Sequence, residues 1–141
     1  MKPAESAKSF TLDEANQMLP RVSGILDRLS RKKESCTRRH DMILMQHLIE
    51  SAEKNQENFG HGSKHLESEI QDMESEVIAC EKDLQELQQI GCFLRSLDKG
   101  CVEFPSKKNG EKIYLCWKKG ETSIQFYRTS QQPVHQRQPI V

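Results

Sequence analysis

Long apolar runs are absent from this sequence. No stretch of about 18 consecutive apolar residues is available to span a bilayer. The first residues, MKPAESAKSF, lack the apolar segment of about 7 to 15 residues that marks a secretory signal peptide. We therefore expect a protein without a membrane partner, and we expect it to be soluble and cytoplasmic.

Paired cysteine motifs are absent as well. The five cysteines are an odd number, and none of them belongs to a Cys-x-x-Cys pair. In a chain without a secretory signal, this pattern argues against a disulfide framework. We expect reduced thiols at these positions, which are Cys36, Cys80, Cys92, Cys101 and Cys116.

An excess of charge of either sign is also lacking, because 21 Lys and Arg residues balance 21 Asp and Glu residues. No overall electric field therefore favours nucleic acid or an anionic membrane. The densest basic stretch, residues 28–39, contains no aromatic residue that could stack on a base. We expect a solvated, internally paired surface there, and we do not expect nucleic acid as a partner.

The composition of the chain is poor in apolar residues and rich in charged ones. Hydrophobic residues make up 35% of the 141 residues and charged residues make up 30%. This composition is typical of long amphipathic helices that bury one stripe. The length is that of one ordinary domain, so we predict a single domain, residues 1–141, with a narrow core.

The first helical signal is a capping box. Glu14 follows Thr11 by three residues, and each side chain can satisfy a free backbone amide at the start of a helix. Pro20 lacks an N–H, and its ring disfavours the interior of a helix. The sequence therefore predicts a short helix over residues 12–19 and a long helix over residues 20–57.

The long helix has a stripe with coiled-coil-like steps of four and three. Its members are Val22, Leu26, Leu29, Lys33, Cys36, His40, Ile43 and His47.

Two glycines, Gly60 and Gly62, interrupt the helical pattern and predict a reversal of the chain. A second long helix is predicted over residues 63–90, because its apolar residues keep a strict four-three spacing. They are Leu66, Ile70, Met73, Val77, Cys80, Leu84 and Leu87. The two long helices would form an antiparallel, coiled-coil-like hairpin. Its basic residues 28–39 would face acidic residues 81–86, and the acidic run of residues 67–76 would have fewer basic partners.

After residue 100 the pattern switches to a period of two, which is typical of strands. Asn109-Gly110 suits the two positive φ angles of a type I′ hairpin turn. With these two residues as the loop, Phe104 lies opposite Leu115 and apolar residues meet across the two strands. The turn therefore predicts both the hairpin and its register.

A second turn is predicted at residues 119–120, where it would place Ile124 opposite Leu115 and Phe126 opposite Ile113. Both turns then give one apolar face that should pack on the helices. Its members would be Val102, Phe104, Ile113, Leu115, Trp117, Ile124 and Phe126. The fold class is thus α+β: a long antiparallel helical hairpin plus a small three-stranded antiparallel meander over residues 101–128. The tail, residues 129–141, is either loose or strapped across the domain.

A group of polar side chains near one end of this sheet is a candidate ligand site. Glu103 and Cys116 should be cross-strand partners on the more polar face, and an arginine could clamp a carboxylate or phosphate through two hydrogen bonds. The candidate ligand-binding residues are Glu103, Glu121, Arg128 and Arg137. An alternative, which we prefer, is a structural salt bridge between Glu121 and Arg137 that fastens the tail. No nucleophile, base and orienting group can be assigned, so we expect no catalytic residues.

A candidate metal site is formed by Cys36, His40 and Cys80. The first two are one helical turn apart, and the predicted hairpin brings Cys80 near them, which gives two thiolates and an imidazole that suit zinc. A fourth ligand is not evident, and structural zinc sites usually have four. The preferred alternative is that the cysteines are small buried hydrophobic residues.

Three segments resemble a bacterial family known as domain of unknown function 2203. They are FTLDEANQMLP, IGCFLRSLDKGCVEFP, and IYLCWKKGETSIQFYR followed by RQPI. The resemblance implies a shared shape but no established activity. Its pattern has a Trp-His pair where this chain has Tyr127-Arg128, so a role of that histidine does not carry over. Glu121 and Arg137 match the pattern and are not needed to pack a sheet, which makes them the preferred functional residues.

The function that these patterns favour is a non-enzymatic interaction or scaffold module. Narrow cores and heptad flanks favour self-association, so a second copy or another protein is the expected partner. The alternative is a small-ligand or metal-binding protein that uses either the sheet-end Glu and Arg group or the Cys and His group, with zinc as the candidate metal.

Overall fold

The computed structural model describes residues 9–52, 63–133 and 135–140. It has two long helices, α1 (Leu12–Ala52) and α2 (Ser63–Ile90), and an antiparallel sheet after them. The strands are β1 (Phe93–Ser96), β2 (Cys101–Lys108), β3 (Glu111–Lys118), β4 (Phe126–Thr129) and β5 (Gln138–Pro139). The protein is therefore α+β. Within the described ranges, no helix is both long and apolar enough to cross a membrane.

The chain divides into two compact units. The sheet unit comprises Met1–Arg28 and Asp83–Val141, and the helical unit comprises Leu29–Lys82. The first contains the sheet with the start of α1 and the end of α2, and the second contains the remaining turns of both helices. The organisation as a single domain stays a prediction.

The predicted capping box is present at the start of α1. The Thr11 amide donates to Glu14 Oε1 at 2.9 Å, and the Glu14 amide donates to Thr11 Oγ1 at 3.1 Å. The predicted division at Pro20 is wrong, because one helix runs through it. Pro20 itself is exposed, while Leu19 and Val22 on either side are buried. Burial of these neighbours holds the helix together although the proline removes one backbone hydrogen bond.

Ion pairs join α1 to α2 in both units. In the sheet unit, Arg28 Nη2 lies 3.1 Å from Asp83 Oδ1, as expected from the sequence. In the helical unit, Arg39 lies 2.7 Å from Glu69 Oε2 and 3.0 Å from Glu76 Oε1. Arg39 therefore pairs with the acidic run that was expected to have few basic partners. The predicted reversal at residues 60–62 lies outside the described residues, so the hairpin itself stays a prediction.

The sheet has five strands in the order β1-β2-β3-β4-β5, so the predicted three-stranded meander was incomplete. The two additional strands lie at the edges. β1 has four residues with an irregularity in its register, and β5 has two residues that include Pro139. Such short edge strands carry little sequence signal. Because β5 pairs with β4, the tail is strapped onto the sheet rather than loose.

The predicted hairpin between β2 and β3 is confirmed. Phe104 pairs with Leu115 and Val102 pairs with Trp117. Asn109 and Gly110 both have positive φ angles, 53° and 82°, as a type I′ turn requires. Here two residues determine the register of the whole pair.

The predicted register between β3 and β4 is wrong. Leu115 pairs with Tyr127 and Cys116 pairs with Phe126, which is an odd shift of three residues from the expected pairing. Since side chains alternate between faces, an odd shift moves every side chain of β4 to the other face. Phe126 therefore leaves the core face, and Arg128 lies on the same face as the side chain of Glu103.

Local hydrogen bonds explain the longer connection between β3 and β4. The indole N–H of Trp117 donates to the Glu121 carbonyl oxygen at 2.8 Å. The Ile124 amide donates to Asn16 Oδ1, a side chain of α1, at 2.8 Å. These contacts hold residues 119–125 as a loop, and Ile124 is buried outside the strands. A two-residue turn would break both contacts.

The core of the sheet unit lies on one face of β2 and β3. The Phe10 ring packs edge-on against the Phe104 ring with centroids 5.2 Å apart, and the Ser106 hydroxyl donates to the Phe10 carbonyl oxygen. Six of the seven predicted core residues are buried: Val102, Phe104, Ile113, Leu115, Trp117 and Ile124. The seventh, Phe126, is half-buried on the opposite face.

Candidate functional site

A buried carboxylate lies at the centre of the face opposite the core. Glu103 is in the middle of β2 opposite Cys116, and its exposed fraction is 0%. A carboxylate removed from water is strongly destabilising unless charged or hydrogen-bonding groups surround it. Glu103 was expected on a partly solvated face, and its full burial requires compensating partners.

Arg128 of β4 supplies the main partner of this carboxylate. Its Nε lies 2.6 Å from Glu103 Oε2 and its Nη2 lies 2.8 Å from Glu103 Oε1. Nη1 donates to the carbonyl oxygens of Thr129 and Gln132 at 3.2 and 2.8 Å. The guanidinium is itself buried, with an exposed fraction of 6% for Arg128. The two charges thus form a bidentate, internally satisfied pair, which fixes the position of β4 on β2 and β3.

Arg95 of β1 is the second partner. Its Nε lies 2.8 Å from Glu103 Oε1, and 30% of its side chain is exposed. It lies where the register shifts between Leu94 and Ser96, so a β-bulge turns its side chain toward Glu103. Arg95 is not among the residues predicted from the sequence, because β1 was not predicted. The four residues of β1 show no alternation, because Phe93 and Leu94 are both apolar and Arg95 and Ser96 are both polar.

The electrostatics of this cluster favour its ionised form. Burial raises the pKa of Glu103, but hydrogen bonds from Arg128 and Arg95 outweigh it, so the pKa lies below the ordinary value. The neighbouring thiol behaves in the opposite way, because burial and the Glu103 charge raise the pKa of Cys116 to about 12. At neutral pH the carboxylate is charged and the thiol is protonated. Neither group is suited to act as a general acid or a nucleophile.

Aromatic rings flank the two arginines. The Arg128 guanidinium carbon lies 4.5 Å from the centroid of the Tyr114 ring, and that of Arg95 lies 4.8 Å from the Phe93 ring. The Phe93 and Tyr114 rings contact each other edge-on with centroids 6.2 Å apart. We call this surface the arginine face. Its central residues are Phe93, Arg95, Glu103, Tyr114, Phe126 and Arg128, and it includes the other strand side chains on this side of the sheet.

Glu121 and Arg137 form a second ion pair. Arg137 Nη2 lies 3.0 Å from Glu121 Oε2, and Nη1 lies 3.3 Å from Oε1. Glu121 Oε1 also accepts a hydrogen bond from the Lys118 amide at 2.9 Å. The Arg137 guanidinium carbon lies 4.1 Å from the centroid of the Phe126 ring. This is the geometry expected of a salt bridge that fastens the tail.

The structure therefore divides the four candidate ligand-binding residues into two pairs. Glu103 binds Arg128, and Glu121 binds Arg137. Burial raises the pKa of Glu121, but the hydrogen bonds from Arg137 and from the Lys118 amide, together with the nearby positive charges, outweigh it, and the pKa lies below its ordinary value. In each pair the arginine already holds a carboxylate in bidentate fashion. Their use for an external ligand stays a prediction.

The candidate metal-binding residues are not brought together in a metal-binding group. Cys36 is half-buried and His40 is exposed, with its Nδ1 3.5 Å from Asp41 Oδ1. Cys80 is half-buried on α2. Among residues 9–52, 63–133 and 135–140, no group of three or more His, Cys, Asp or Glu side chains has a geometry that could hold a metal ion.

Two apolar cavities lie beside the start of α1. One has a volume of about 500 Å³ and is lined in part by Phe10, Leu12 and Ile113. The other has a volume of about 360 Å³. Leu12 and Ile140 line both cavities, so the end of the tail and the first turn of the helix separate them.

A family model described as an uncharacterized conserved protein, DUF2203, matches residues 8–140. The match covers nearly the whole chain, and the chain belongs to this family. No curated protein and no solved structure matches the chain.

Proposed function

We propose that this member of the DUF2203 family is a non-enzymatic interaction module that self-associates through an apolar surface on α1. The observation that supports this proposal is a cluster of five large apolar side chains, which we call the outer patch. Its members are Met42 (59% exposed), Leu44 (49%), Met45 (57%), Leu48 (53%) and Ile49 (45%). Soluble monomers rarely leave so many neighbouring apolar side chains in water.

Helical geometry places the outer patch away from α2. At about 100° per residue, the five side chains occupy an arc of about 160°, and the centre of that arc lies about 140° from Arg39. Arg39 and Ser35 point toward α2, because both contact Glu76. The pairing of α1 with α2 within the helical unit therefore does not cover the patch.

A second copy of the chain is the occupant that the patch fits best. Met42, Met45 and Ile49 follow the three-four spacing of a helix that packs against another helix. The same surface on a second copy supplies a matching apolar stripe, so a symmetric pair buries both at once. Arg38 and Asp41 border the patch with opposite charges, so neither sign dominates the contact. In this proposal α1 and α2 form a helical hairpin whose outer side is the dimer interface.

Sedimentation of the full chain over a wide range of concentrations tests the proposal. The chain has a mass of 16.3 kDa, and we expect it to sediment as a dimer. The double variant Met45→Glu/Leu48→Glu should sediment as a monomer, because two charges then lie in the interface. His47→Glu is the matched control, since it adds a charge to the same exposed helix outside the patch arc and should leave the dimer intact.

Two outcomes would contradict the proposal. One is a strict monomer at every concentration. The other is a dimer that the double variant leaves unchanged, provided that circular dichroism shows the same helix content in both proteins.

A further inference from the structure

The balance of charge over the whole chain conceals a strong asymmetry. Residues 93–141 contain nine Lys and Arg residues and four Asp and Glu residues, a net charge of +5. Residues 1–92 contain twelve basic and seventeen acidic residues, a net charge of −5. The segment that forms the sheet is therefore basic, although the chain as a whole is neutral. A polyanion would encounter this segment as an attractive surface.

Strand alternation concentrates the basic residues on the arginine face. Side chains of a strand point alternately to the two faces, so Lys107, Lys112 and Lys118 lie on the same face as Glu103 and Tyr114. Together with Arg95 and Arg128 they give five cations on that face. Glu103 is the single acidic residue among the described strand residues there, and its charge is used by Arg128 and Arg95.

Two of these cations are directly opposite each other. Lys107 of β2 is the cross-strand partner of Lys112 of β3, and both are exposed. Like charges at directly opposed positions destabilise a sheet. Neither lysine has a carboxylate partner in the part of the chain that the structure describes. Lys112 Nζ lies 5.5 Å from the centroid of the Tyr114 ring, but this contact does not neutralise either lysine, whereas an external phosphate placed between them would neutralise both charges.

Arg95 offers a further free donor group. Its Nε is bonded to Glu103, but its two Nη groups have no hydrogen-bond partner among the described residues. The ring of Phe93 and the carboxylate of Glu103 hold the guanidinium in place. A guanidinium fixed in this way can bind a phosphate without a large loss of side-chain entropy. Arg128 differs, because all of its nitrogens are already bonded inside the protein.

Three aromatic rings lie among these cations, and an arginine guanidinium lies over one face of each ring. Phe93, Tyr114 and Phe126 belong to three different strands, and all three are half-buried on the arginine face. In the register, Phe93, Glu103, Cys116 and Phe126 form one row across the sheet. Tyr114 is in the adjacent row, next to the Lys107 and Lys112 pair. Cations that alternate with aromatic rings are the pattern that binds unpaired bases together with their phosphates.

We infer that the arginine face binds single-stranded nucleic acid, with Lys107, Lys112 and Arg95 contacting phosphates and Phe93 providing a ring on which a base stacks. A duplex would offer only its phosphates, because its bases are already stacked, and it would leave the rings unused. This inference is independent of self-association through the outer patch, since the two surfaces belong to different units and share no residue.

The first test is fluorescence anisotropy of a labelled oligothymidylate of about 20 nucleotides, a length that exceeds common single-strand site sizes. We expect binding that weakens as salt rises. The variant Lys107→Gln/Lys112→Gln should lower the affinity about tenfold and reduce the slope of log affinity against log salt by about 1.4, the value for two lost single-strand phosphate contacts.

The matched control is Arg31→Gln/Arg38→Gln, which removes two exposed charges from the basic stretch of α1. We expect it to retain the affinity and the salt slope of the unmodified protein. The inference would be overturned if this control lost affinity while the lysine variant did not, because the basic helix would then be the binding surface. An unmodified protein that does not bind the oligonucleotide even at low salt would overturn it too.

The second test separates base stacking from charge. Phe93→Leu keeps an apolar side chain but removes the ring, and we expect about a tenfold loss of affinity for oligothymidylate. Binding to heparin, a polyanion without bases, should fall by less, because this variant loses the ring that holds Arg95 but keeps Lys107 and Lys112. Equal losses for both polyanions, or no loss for either, would contradict the stacking role.

Two further probes decide the class of ligand. We expect the chain to bind oligothymidylate more tightly than a duplex of equal length and more tightly than vesicles that contain phosphatidylserine. Tighter binding to either of the latter would overturn the single-strand assignment. Circular dichroism of each variant confirms that it is folded before its affinity is compared.

Discussion

The two units of this protein use apolar residues in opposite ways. In the sheet unit, large apolar side chains from the start of α1 and from the sheet are buried together. In the helical unit, α1 exposes five large apolar side chains within eight residues. Salt bridges such as Arg39 with Glu69 and Glu76 join the helices there, and ion pairs near the surface add little stability because water screens them. We therefore expect the sheet unit to contribute most of the stability, and the proposed dimer interface lies on the helical unit.

The largest effect should come from the buried charge cluster of the sheet unit. We expect Glu103→Ala to destabilise the fold by about 3 to 5 kcal/mol, because it leaves the buried Arg128 guanidinium without its counter-charge. Urea denaturation monitored by circular dichroism measures this change. Glu111→Ala, an exposed residue of the adjacent strand, should change the free energy of unfolding by less than about 0.5 kcal/mol. If the two substitutions changed the free energy of unfolding by similar amounts, the buried pair of Glu103 and Arg128 would not be a main source of stability.

A matched pair of leucine substitutions on α1 compares the two units directly. Leu26 is 1% exposed and Leu44 is 49% exposed. Leu26→Ala should destabilise the protein by about 2 to 5 kcal/mol through lost burial and a cavity. Leu44→Ala should change the stability of the monomer by less than about 0.5 kcal/mol. Denaturation at low protein concentration measures the free energy of unfolding of both variants. Equal losses of stability in the two variants would contradict the difference between the units.

The pH dependence of stability tests whether ionised Glu103 stabilises the fold. Its pKa is lowered in the folded protein from an ordinary value of 4.5. A lowered carboxyl pKa stabilises the folded state fully above the ordinary value, and this stabilisation is lost as the pH falls through the folded pKa. We therefore expect the melting temperature to fall as the pH drops below about 4.5. In Glu103→Gln this fall should be shallower, and an unchanged pH profile would argue against the ionised pair.

A smaller loss of stability than at Glu103 or Leu26 is expected at the turn between β2 and β3. Gly110 has a φ of 82°, and an added Cβ would meet no atom within 4 Å. Gly110→Ala should therefore be destabilising by about 1 kcal/mol through backbone strain alone. At Gly100 an added Cβ would lie 2.6 Å from the Cβ of Lys119, so Gly100→Ala should be the more destabilising of the two. Thermal melting of both variants checks this order, and the reverse order would contradict it.

The two sheet turns show what the sequence could and could not predict. The type I′ turn depends on Asn109 and Gly110 alone, so its register could be predicted from local sequence. The connection after β3 depends on a bond from Ile124 to Asn16, a residue more than a hundred positions away. No local pattern contains that information. The sequence therefore predicted a two-residue turn where the protein has a longer loop.

The sequence likewise predicted only part of the candidate site. Glu103 and Arg128 were identified as site residues, but their contact follows from the register of β4, which was predicted incorrectly. The pairing of Glu121 with Arg137 was expected and is present. Arg95 was missed because a four-residue edge strand with a bulge gives no periodic signal. Tertiary contacts determined what local patterns did not.

Hydrogen exchange measured at two protein concentrations tests the difference between the two units most directly. We expect the amides of residues 42–49 in α1 to exchange faster at about 1 μM than at about 200 μM, since dilution dissociates the proposed dimer and uncovers the outer patch. The amides of β2 and β3 should be equally protected at both concentrations. Protection of residues 42–49 that does not depend on concentration, or protection of the sheet that does, would contradict the account.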